Sequence, residues 1–471
     1  MAYRLFQIPK THSFLLCSGA TVGSLFAYHR HPDQLKHDSK KKLNNFSSTT
    51  CFSDGITPSC GADRDTLAIG AKLLAAKPAL DDIFQQHFDA HHIPGLIYGV
   101  TLHGKLVMHG SMGSITASPT SRDSGSLPCR QSSVFRIASM SKSFTALAII
   151  QLRDLGLLSL TDPVSKYVPE VKHIAPLDAD SPPLTVGHLL TMQGGFPQDD
   201  PWGDRLLDMS DQDFSQLLTS GLCLSNPTGT VYEYSNLGYA ILGLVIKNVT
   251  KMTYQDYITK HIFLPLGMES TFFECDHVTD STHLVPGYRW EDQRWKEEPM
   301  LHDGAFGAMG GILTTLDDFV KYMAFHQEVW QPHPSGVSSP KAEPCRASVR
   351  EMHFPWAVDG IFFEKKAATP LTGMAARAMT ADSKTEEGTG KEVLAGVWSE
   401  AYGYGLKSCR DLKGIRWIRH AGGLPGESYL SAEADVMFFI LAFITCIDIL
   451  SLGVVCILNE YRIQQRVAVS S

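Results

Sequence analysis

The chain has 471 residues, of which 44% are hydrophobic, 19% charged and 10% aromatic. With only 39 Gly and 25 Pro, this composition excludes a chain that is disordered or collagen-like throughout. The formal net charge of −8 argues against a general nucleic-acid-binding protein, which needs a basic face. No nucleic-acid partner is therefore predicted.

Residues 1–65 are predicted to form a basic leader or linker, disordered or targeting, in front of the folded domain. Residues 1–50 carry seven Lys or Arg and two Asp, a net charge of +5. The rest of the chain carries 34 basic and 47 acidic residues, a net charge of −13. A short apolar run at 14–28 makes residues 1–30 resemble a secretory signal or a mitochondrial leader, and a simple extension fits about as well.

The predicted elements change in type along the chain. Residues 69–90 show a helical pattern, and two β-type runs then flank the dipeptide His103-Gly104, which predicts a hairpin. Helical patterns dominate from about 135 to 330, and an irregular excursion is predicted over 331–395. Strand character returns between 402 and 419. This order predicts an α/β (α+β) fold with one sheet made from both chain ends and a large helical insertion.

Ser139 and Lys142 lie three residues apart where an apolar helical pattern begins, so they share a face at the helix start. The positive helix end and partial burial both disfavour an ammonium, which predicts a lowered pKa for Lys142. A neutral lysine beside a serine hydroxyl accepts its proton and activates the serine as a nucleophile. The same S-x-x-K spacing at 39–42 and 338–341 stands in polar, loop-like sequence and is attributed to chance.

Two further patterns are weak when each is taken alone. Tyr234-Ser235-Asn236 precedes another helical run, where a tyrosine can relay protons and an asparagine can bind a substrate amide. Taken alone, this pattern is better explained by a core tyrosine beside a helix cap. His420-Ala421-Gly422-Gly423 follows a strand, but His302-Asp303-Gly304 also fits His-x-Gly. The three patterns become informative together, because Tyr234 follows Ser139 by 95 residues and His420 follows Tyr234 by 186 residues.

With these motifs in order, the chain resembles the serine β-lactamase-related hydrolases, which include class C β-lactamases, penicillin-binding proteins and D-aminopeptidases. The resemblance covers roughly 66–426 and implies a β-lactamase/transpeptidase-like fold with an antiparallel sheet. It rests on seven ordered blocks: FRIASMSKSFTALAIIQL, LGLLSLTDPVSKYVPE, LTVGHLLTMQGGFP, YEYSNLGYAILG, IFLPLGM, GAMGGILTTLDDF and RHAGGLPG.

The resemblance implies a role for each matching residue. Ser139 would be the acylated nucleophile, and Lys142 its base or proton partner. Tyr234 would relay a proton to the leaving group. Asn236 would hold the amide on the acyl side of the substrate. Its presence slightly favours amide substrates, because many esterase relatives lack it.

The third motif departs from the family pattern. His420, followed by Gly422, stands where relatives carry the lysine of Lys-Thr-Gly, and the amide of Gly423 would complete the oxyanion hole with that of Ser139. Since a histidine is only partly cationic near neutral pH, firm binding of a substrate carboxylate is not expected.

The C-terminal part also departs from the relatives, which continue through two more strands and a closing helix. Residues 427–451 are interpreted as an atypical apolar insertion, and 452–471 as a residual family strand with a truncated end. The apolar stretch 436–458 is long enough for a membrane anchor, or belongs to an insertion without selected function, such as translated intron sequence. The second interpretation is favoured because a family-like strand resumes afterwards.

The resemblance favours a serine hydrolase acting on a small-molecule or short-peptide amide, ester or lactam, with no cofactor. The alternatives are acyl transfer to an alcohol or amine on the same fold, or a catalytically impaired member, membrane-tethered through 436–458. No metal is predicted, because the H-x-H-x-D pattern at 29–33 has no matching set of later ligands. Compartment and oligomeric state do not follow from the sequence.

Overall fold

A computed structural model gives the fold of the domain. It describes residues 64–90, 92–116, 127–198, 206–280, 283–331, 344–365, 394–412, 414, 416–424, 427–434 and 438–444. The predictions on the basic leader, on the H-x-H-x-D pattern and on 452–471 lie outside these residues.

Most of the long strands lie towards the two ends of the described chain, and most of the helices lie between them. The helices are α1 (Arg64–Ala90), α2 (Ser141–Asp154), α3 (Val186–Leu190), α4 (Asp211–Thr219), α5 (Asn236–Thr250), α6 (Tyr254–Ile258), α7 (Leu264–Leu266), α8 (Gly307–Gly310), α9 (Leu316–Glu328) and α10 (Arg346–Met352). Short 3-10 turns are Ala138–Met140, Val164–Lys166, Pro169–His173 and Cys275–His277, and Thr259–Phe263 forms a π-helical turn. The strands are β1 (Gly95–Leu102), β2 (Lys105–Gly113), β3 (Phe135–Arg136), β4 (Tyr288–Glu291), β5 (Arg294–Glu297), β6 (Leu313–Thr314), β7 (Ala357–Lys365), β8 (Leu394–Tyr402), β9 (Lys407–Asp411), β10 (Arg416–Leu424), β11 (Glu427–Ala434) and β12 (Phe438–Ile444).

Eight of these strands form one antiparallel sheet in the order β2-β1-β12-β11-β10-β9-β8-β7. Strands from the two chain ends therefore meet between β1 and β12, and the helical block 138–328 is inserted between them. This confirms the predicted fold class. The hairpin is also confirmed, since His103 and Gly104 join β1 to β2 with φ angles of 50° and 73°, as a tight hairpin turn requires.

The segment 427–451 differs from its interpretation as an insertion that replaces the family strands. Strand β11 pairs with β10, and β12 pairs with both β11 and β1, so the described part of this segment closes the sheet. The run FFILAFI in β12 is continuously apolar, a pattern that suits a central strand as well as a membrane segment. Among the described residues, no helix has both the length and the apolar character needed to cross a membrane.

Helix α2 forms the centre of the core. Its apolar residues recur at spacings of three and four, which predicts one buried face, yet every residue from Ser141 to Leu152 is buried. Helices α5, α8 and α10 all pack against it, and this is why polar residues such as Thr145 must find internal partners. The Thr145 hydroxyl donates to the carbonyl oxygen of Ala308 in α8 at 2.6 Å.

Candidate active site

The serine of the S-x-x-K motif lies in the 3-10 turn Ala138–Met140, which leads directly into α2 and is called the Ser139 turn below. Ala138 has a φ of 49°, a left-handed conformation that residues with side chains seldom adopt. Ser139 is the single partly exposed residue between 133 and 152, where all its neighbours are buried. The fold thus exposes part of this serine within an otherwise buried stretch of the chain.

Hydrogen bonds hold the Ser139 turn on both sides against the segment that precedes β6. Ile137 donates its N–H to the carbonyl oxygen of Ile312 at 2.8 Å, and Ile312 donates its own N–H to Ser141 Oγ at 3.2 Å. The buried Arg136 donates to the carbonyl oxygen of Gly311 at 2.9 Å. These contacts keep the backbone that carries the serine in one position.

Lys142 is fully buried and directs its amine at Ser139. Its Nζ lies 3.0 Å from Ser139 Oγ, 2.7 Å from Asn236 Oδ1 and 2.8 Å from the carbonyl oxygen of Met309. All three partners are uncharged oxygens. The lysine and the serine, three residues apart in the sequence, are in hydrogen-bond contact in the structure.

The Tyr-Ser-Asn motif ends at the first turn of α5. Ser235 caps this helix, because its Oγ accepts from the N–H of Gly238 at 3.2 Å, and Asn236 is the first helical residue. The cap directs the buried Asn236 amide to Lys142. Tyr234 is half-buried, and the centre of its ring lies 4.9 Å from Lys142 Nζ. The structure therefore brings Tyr234 and Asn236 together with the serine and the lysine.

His420 lies on β10, buried beside the same group, with its ring centre 6.5 Å from that of Tyr234. Its Nδ1 lies 2.5 Å from the Ala421 carbonyl oxygen, which can only accept, so Nδ1 carries the hydrogen. Its Nε2 then accepts from the Tyr402 hydroxyl at 3.1 Å. Burial lowers the pKa of His420 to about 3. The expectation of a partly cationic histidine is corrected: the buried ring is neutral at neutral pH.

Gly422 brings β10 against the Ser139 turn. A Cβ atom at this position would lie 2.4 Å from the Ile137 carbonyl oxygen and 3.2 Å from the Ala138 Cβ, so only glycine allows this approach. Gly423, the next residue, is exposed at the end of the same strand. The close packing places the amide-bearing strand edge directly beside the serine.

Two cations on β10 and β9 are held by a buried carboxylate. Glu400 accepts from Arg419 and, at 2.5 Å, from Lys407. Burial raises the pKa of Glu400, but Arg419 and Lys407 outweigh it and bring the pKa to about 2. Arg419, the chain neighbour of His420, is therefore engaged with a charge of opposite sign inside the protein.

The sequence did not identify two contributors to the site, the Met309 carbonyl oxygen and Tyr402. The Met309 carbonyl oxygen has no side-chain signature, and only its place in the block GAMGG hinted at it. Tyr402 begins the strand-like run YGYGL, but nothing in that run predicts a bond to His420. Both contacts depend on chain segments that meet only in the folded protein.

An antiparallel sheet with a helical insertion, and a serine and lysine in contact at the start of the central helix, define the β-lactamase/transpeptidase class of fold. The sequence model of the family described as "Beta-lactamase" matches residues 80–442, so the chain belongs to this family. The matched range includes β11 and most of β12.

Solved structures share the fold. The octameric penicillin-binding protein homologue from Pyrococcus abyssi aligns with a TM-score of 0.59 and 22% identity, over 78% of this chain and 73% of that one. A class C β-lactamase aligns with a TM-score of 0.55 and 17% identity, over 80% of this chain and 92% of that one.

Two relatives show similarity in sequence. "Protein flp" of Staphylococcus aureus (strain MW2) is 30% identical over 284 residues, which cover 56% of this chain and 54% of the relative. "Beta-lactamase-like protein 2" of Dictyostelium discoideum is 30% identical over 298 residues, which cover 60% and 53%. The chain spans about half the length of these relatives.

Proposed function

We propose that the chain is a serine hydrolase that forms an acyl-enzyme on Ser139, with Lys142 and Tyr234 as proton-transfer partners. The observation that carries the proposal is the set of three hydrogen bonds at Lys142 Nζ. Two of the partners, the side-chain oxygen of Asn236 and the carbonyl oxygen of Met309, can only accept. The third, Ser139 Oγ, can also donate.

The difference between the two acceptor-only oxygens and the Ser139 hydroxyl supports a role for the Lys142 amine as a base. An uncharged amine has two N–H bonds and one lone pair. The two carbonyl oxygens take the N–H bonds, and the lone pair is then directed to the Ser139 hydroxyl, 3.0 Å away. Complete burial of Lys142 favours the uncharged form, because a charge is costly to remove from water.

The proposed reaction runs in two stages. Ser139 Oγ attacks the carbonyl carbon of the substrate, and its proton passes to Lys142 Nζ. The proton then moves to the leaving nitrogen or oxygen, with Tyr234 as the relay, and the bond to the leaving group breaks. Water attacks the resulting ester, releases the acid and restores the Ser139 hydroxyl.

The developing negative charge on the substrate oxygen needs donors that are already in place. The amides of Ser139 and Gly423 are proposed for this role, and the close approach of Gly422 to the Ser139 turn supports it. Such donors are effective because they need no rearrangement when the charge appears.

The electrostatics of the site support a substrate that needs no carboxylate. His420 is neutral with both ring nitrogens bonded inside the protein, and Arg419 is engaged by Glu400. We therefore propose a small or short-peptide substrate with an uncharged ester or amide rather than a penicillin-type acid.

A labelling experiment tests the proposal. The purified protein is incubated with a fluorescent fluorophosphonate and, separately, with a fluorescent penicillin, and the labelled peptide is identified by mass spectrometry. We expect fluorophosphonate labelling on Ser139, loss of this label in Ser139→Ala, and much slower labelling by the penicillin.

Ser338→Ala is the matched control, because Ser338 stands in the same S-x-x-K spacing. Its labelling should equal that of the wild type. Folded protein that takes up neither probe would refute the proposal, and so would a label that persists in Ser139→Ala.

A further inference from the structure

We propose that Glu274, Cys275 and His302 form a zinc-binding site outside the catalytic group. One carboxylate oxygen, the thiol sulfur and one imidazole nitrogen from these residues all lie within 4.8 Å of one another. The three side chains come from two segments that are separated by 26 residues in the chain. The site is independent of the acylation chemistry proposed above.

The geometry of the pair Glu274 and His302 fixes which atoms face the site. His302 Nδ1 lies 3.0 Å from Glu274 Oε2, while Glu274 Oε1 accepts from the N–H of Asp303 at 3.1 Å. One carboxylate oxygen is thus held by the backbone and the other is directed to the imidazole. Metal-binding carboxylates are commonly oriented by such a bond to their second oxygen.

Cys275 adds the atom that distinguishes the cluster from a simple ion pair. It follows Glu274 in the 3-10 turn Cys275–His277 and is a free thiol, partly exposed. An ion pair between His302 and Glu274 needs no sulfur nearby. The thiol next to both groups is therefore the observation that points to a metal.

The donor set selects the metal. A thiolate, an imidazole and a carboxylate suit Zn²⁺, whereas Mg²⁺ and Ca²⁺ prefer oxygen ligands alone. Tetrahedral zinc places its ligand atoms about 3.3–3.5 Å apart, as follows from bonds of about 2.0 Å to N or O and 2.3 Å to S. Metal binding would therefore replace the 3.0 Å contact between His302 Nδ1 and Glu274 Oε2 and bring the three ligand atoms, now within 4.8 Å of one another, to this spacing. Water would fill the fourth position, and binding would release the thiol proton and any proton on Nδ1 to solvent.

The position of the cluster gives the ion a structural effect. A bound ion would join the turn that begins at Cys275 to His302, which lies five residues before α8 at Gly307. Helix α8 carries the Met309 carbonyl oxygen that binds Lys142. Zinc would thus fasten the segment that leads to this helix without touching the reacting atoms.

Cobalt provides a direct readout, since Co²⁺ replaces zinc in such sites and a cobalt–thiolate bond gives a charge-transfer band in the near ultraviolet. The full-length chain is reduced, stripped of metal and titrated with Co²⁺ and then Zn²⁺. We expect one equivalent to bind with the thiolate band, Zn²⁺ to displace it, and Zn²⁺ to raise the Tm. Cys275→Ser should abolish the band, and His302→Gln should weaken affinity by about tenfold or more.

Cys223→Ser and His283→Gln are the matched controls, because Cys223 is an exposed free thiol and His283 also lies near a carboxylate, that of Asp280. Both should bind like the wild type. A band that survives in Cys275→Ser would overturn the proposal, as would the absence of stoichiometric binding to folded protein. The metal-free Tm of each variant checks its folding, and activity plays no part in the readout.

Discussion

Replacing Gly422 with alanine tests whether the contact between β10 and the Ser139 turn shapes the active site. The added Cβ would lie 2.4 Å from the Ile137 carbonyl oxygen, against at least 3.4 Å in ordinary contact. The difference is 1.0 Å, and the strand or the turn must move by about this distance. Because that carbonyl belongs to backbone rather than to a flexible side chain, the shift falls on the groups that carry Ser139 and Gly423.

The expected effect follows from the size of the shift. A misplacement of about 1 Å can cost about 10²-fold in rate, and loss of one oxyanion-hole donor costs about 10²–10³-fold. We expect Gly422→Ala to acylate Ser139 with a fluorophosphonate, and to hydrolyse a p-nitrophenyl ester, at least about 10²-fold more slowly than the wild type.

Gly360→Ala is the control, since a Cβ at this strand position meets only Phe362 at 3.6 Å, an ordinary contact. Its rate should equal that of the wild type. The Tm of both variants is measured alongside the rates. A folded Gly422→Ala that acylates within about threefold of the wild type would refute the argument, because the oxyanion donors would then not depend on this contact.

Three other changes test the site and its surroundings. Lys142→Met keeps the length of the side chain but removes the base, so acylation should fall by about 10²–10⁴-fold in a variant whose circular dichroism is unchanged; a smaller loss would assign the proton to another group. Tyr402→Phe removes a buried hydroxyl that contacts His420 Nε2 at 3.1 Å and also hydrogen-bonds Tyr239, so urea unfolding should show a loss of about 1–3 kcal/mol, and an unchanged midpoint would contradict a stabilising role for these bonds. Burial lowers the pKa of His326 and of His420 to about 3, so the unfolded chain takes up these protons below about pH 6.5 and the folded chain does not. Each imidazole then costs about 2 kcal/mol of folding stability at pH 5, since 1.5 pH units correspond to about 2 kcal/mol. Asp303 opposes this, because burial raises its pKa to about 7 and its folded-state proton stabilises the fold as pH falls. Asp303→Asn should therefore lose stability more steeply than the wild type between pH 7.5 and pH 5, and equal slopes in the two proteins would show that this carboxyl is not protonated in the fold.

Local features of the chain could be predicted from the sequence because short-range physics decides them. The His103-Gly104 turn needs two positive φ angles, and the dipeptide supplies residues that tolerate them. The three-residue spacing of Ser139 and Lys142 brings them together at any helix start. The order of strands and helices was enough to predict a sheet made from both chain ends.

Expectations from the sequence differed from the structure where one local pattern fits two environments. The apolar run in 427–451 looks foreign beside the family motifs, yet its described residues form β11 and β12 in the middle of the sheet. Helix α2 is a second case in which the local pattern does not predict the burial of the residues. Its polar residues suggest a solvent-facing side, but helices on several sides bury them all.

The sequence by itself determined the family and the fold class, and it singled out the residues for which catalytic roles are proposed, because these depend on motifs and their order. Only the tertiary structure decided what surrounds them. The partners of Lys142 come from 94 and 167 residues away along the chain. His420 is neutral because burial removes it from water, and its Nε2 lies 3.1 Å from the hydroxyl of the distant Tyr402. Desolvation and hydrogen bonding between distant segments set these properties, and neither is encoded in any local stretch of residues.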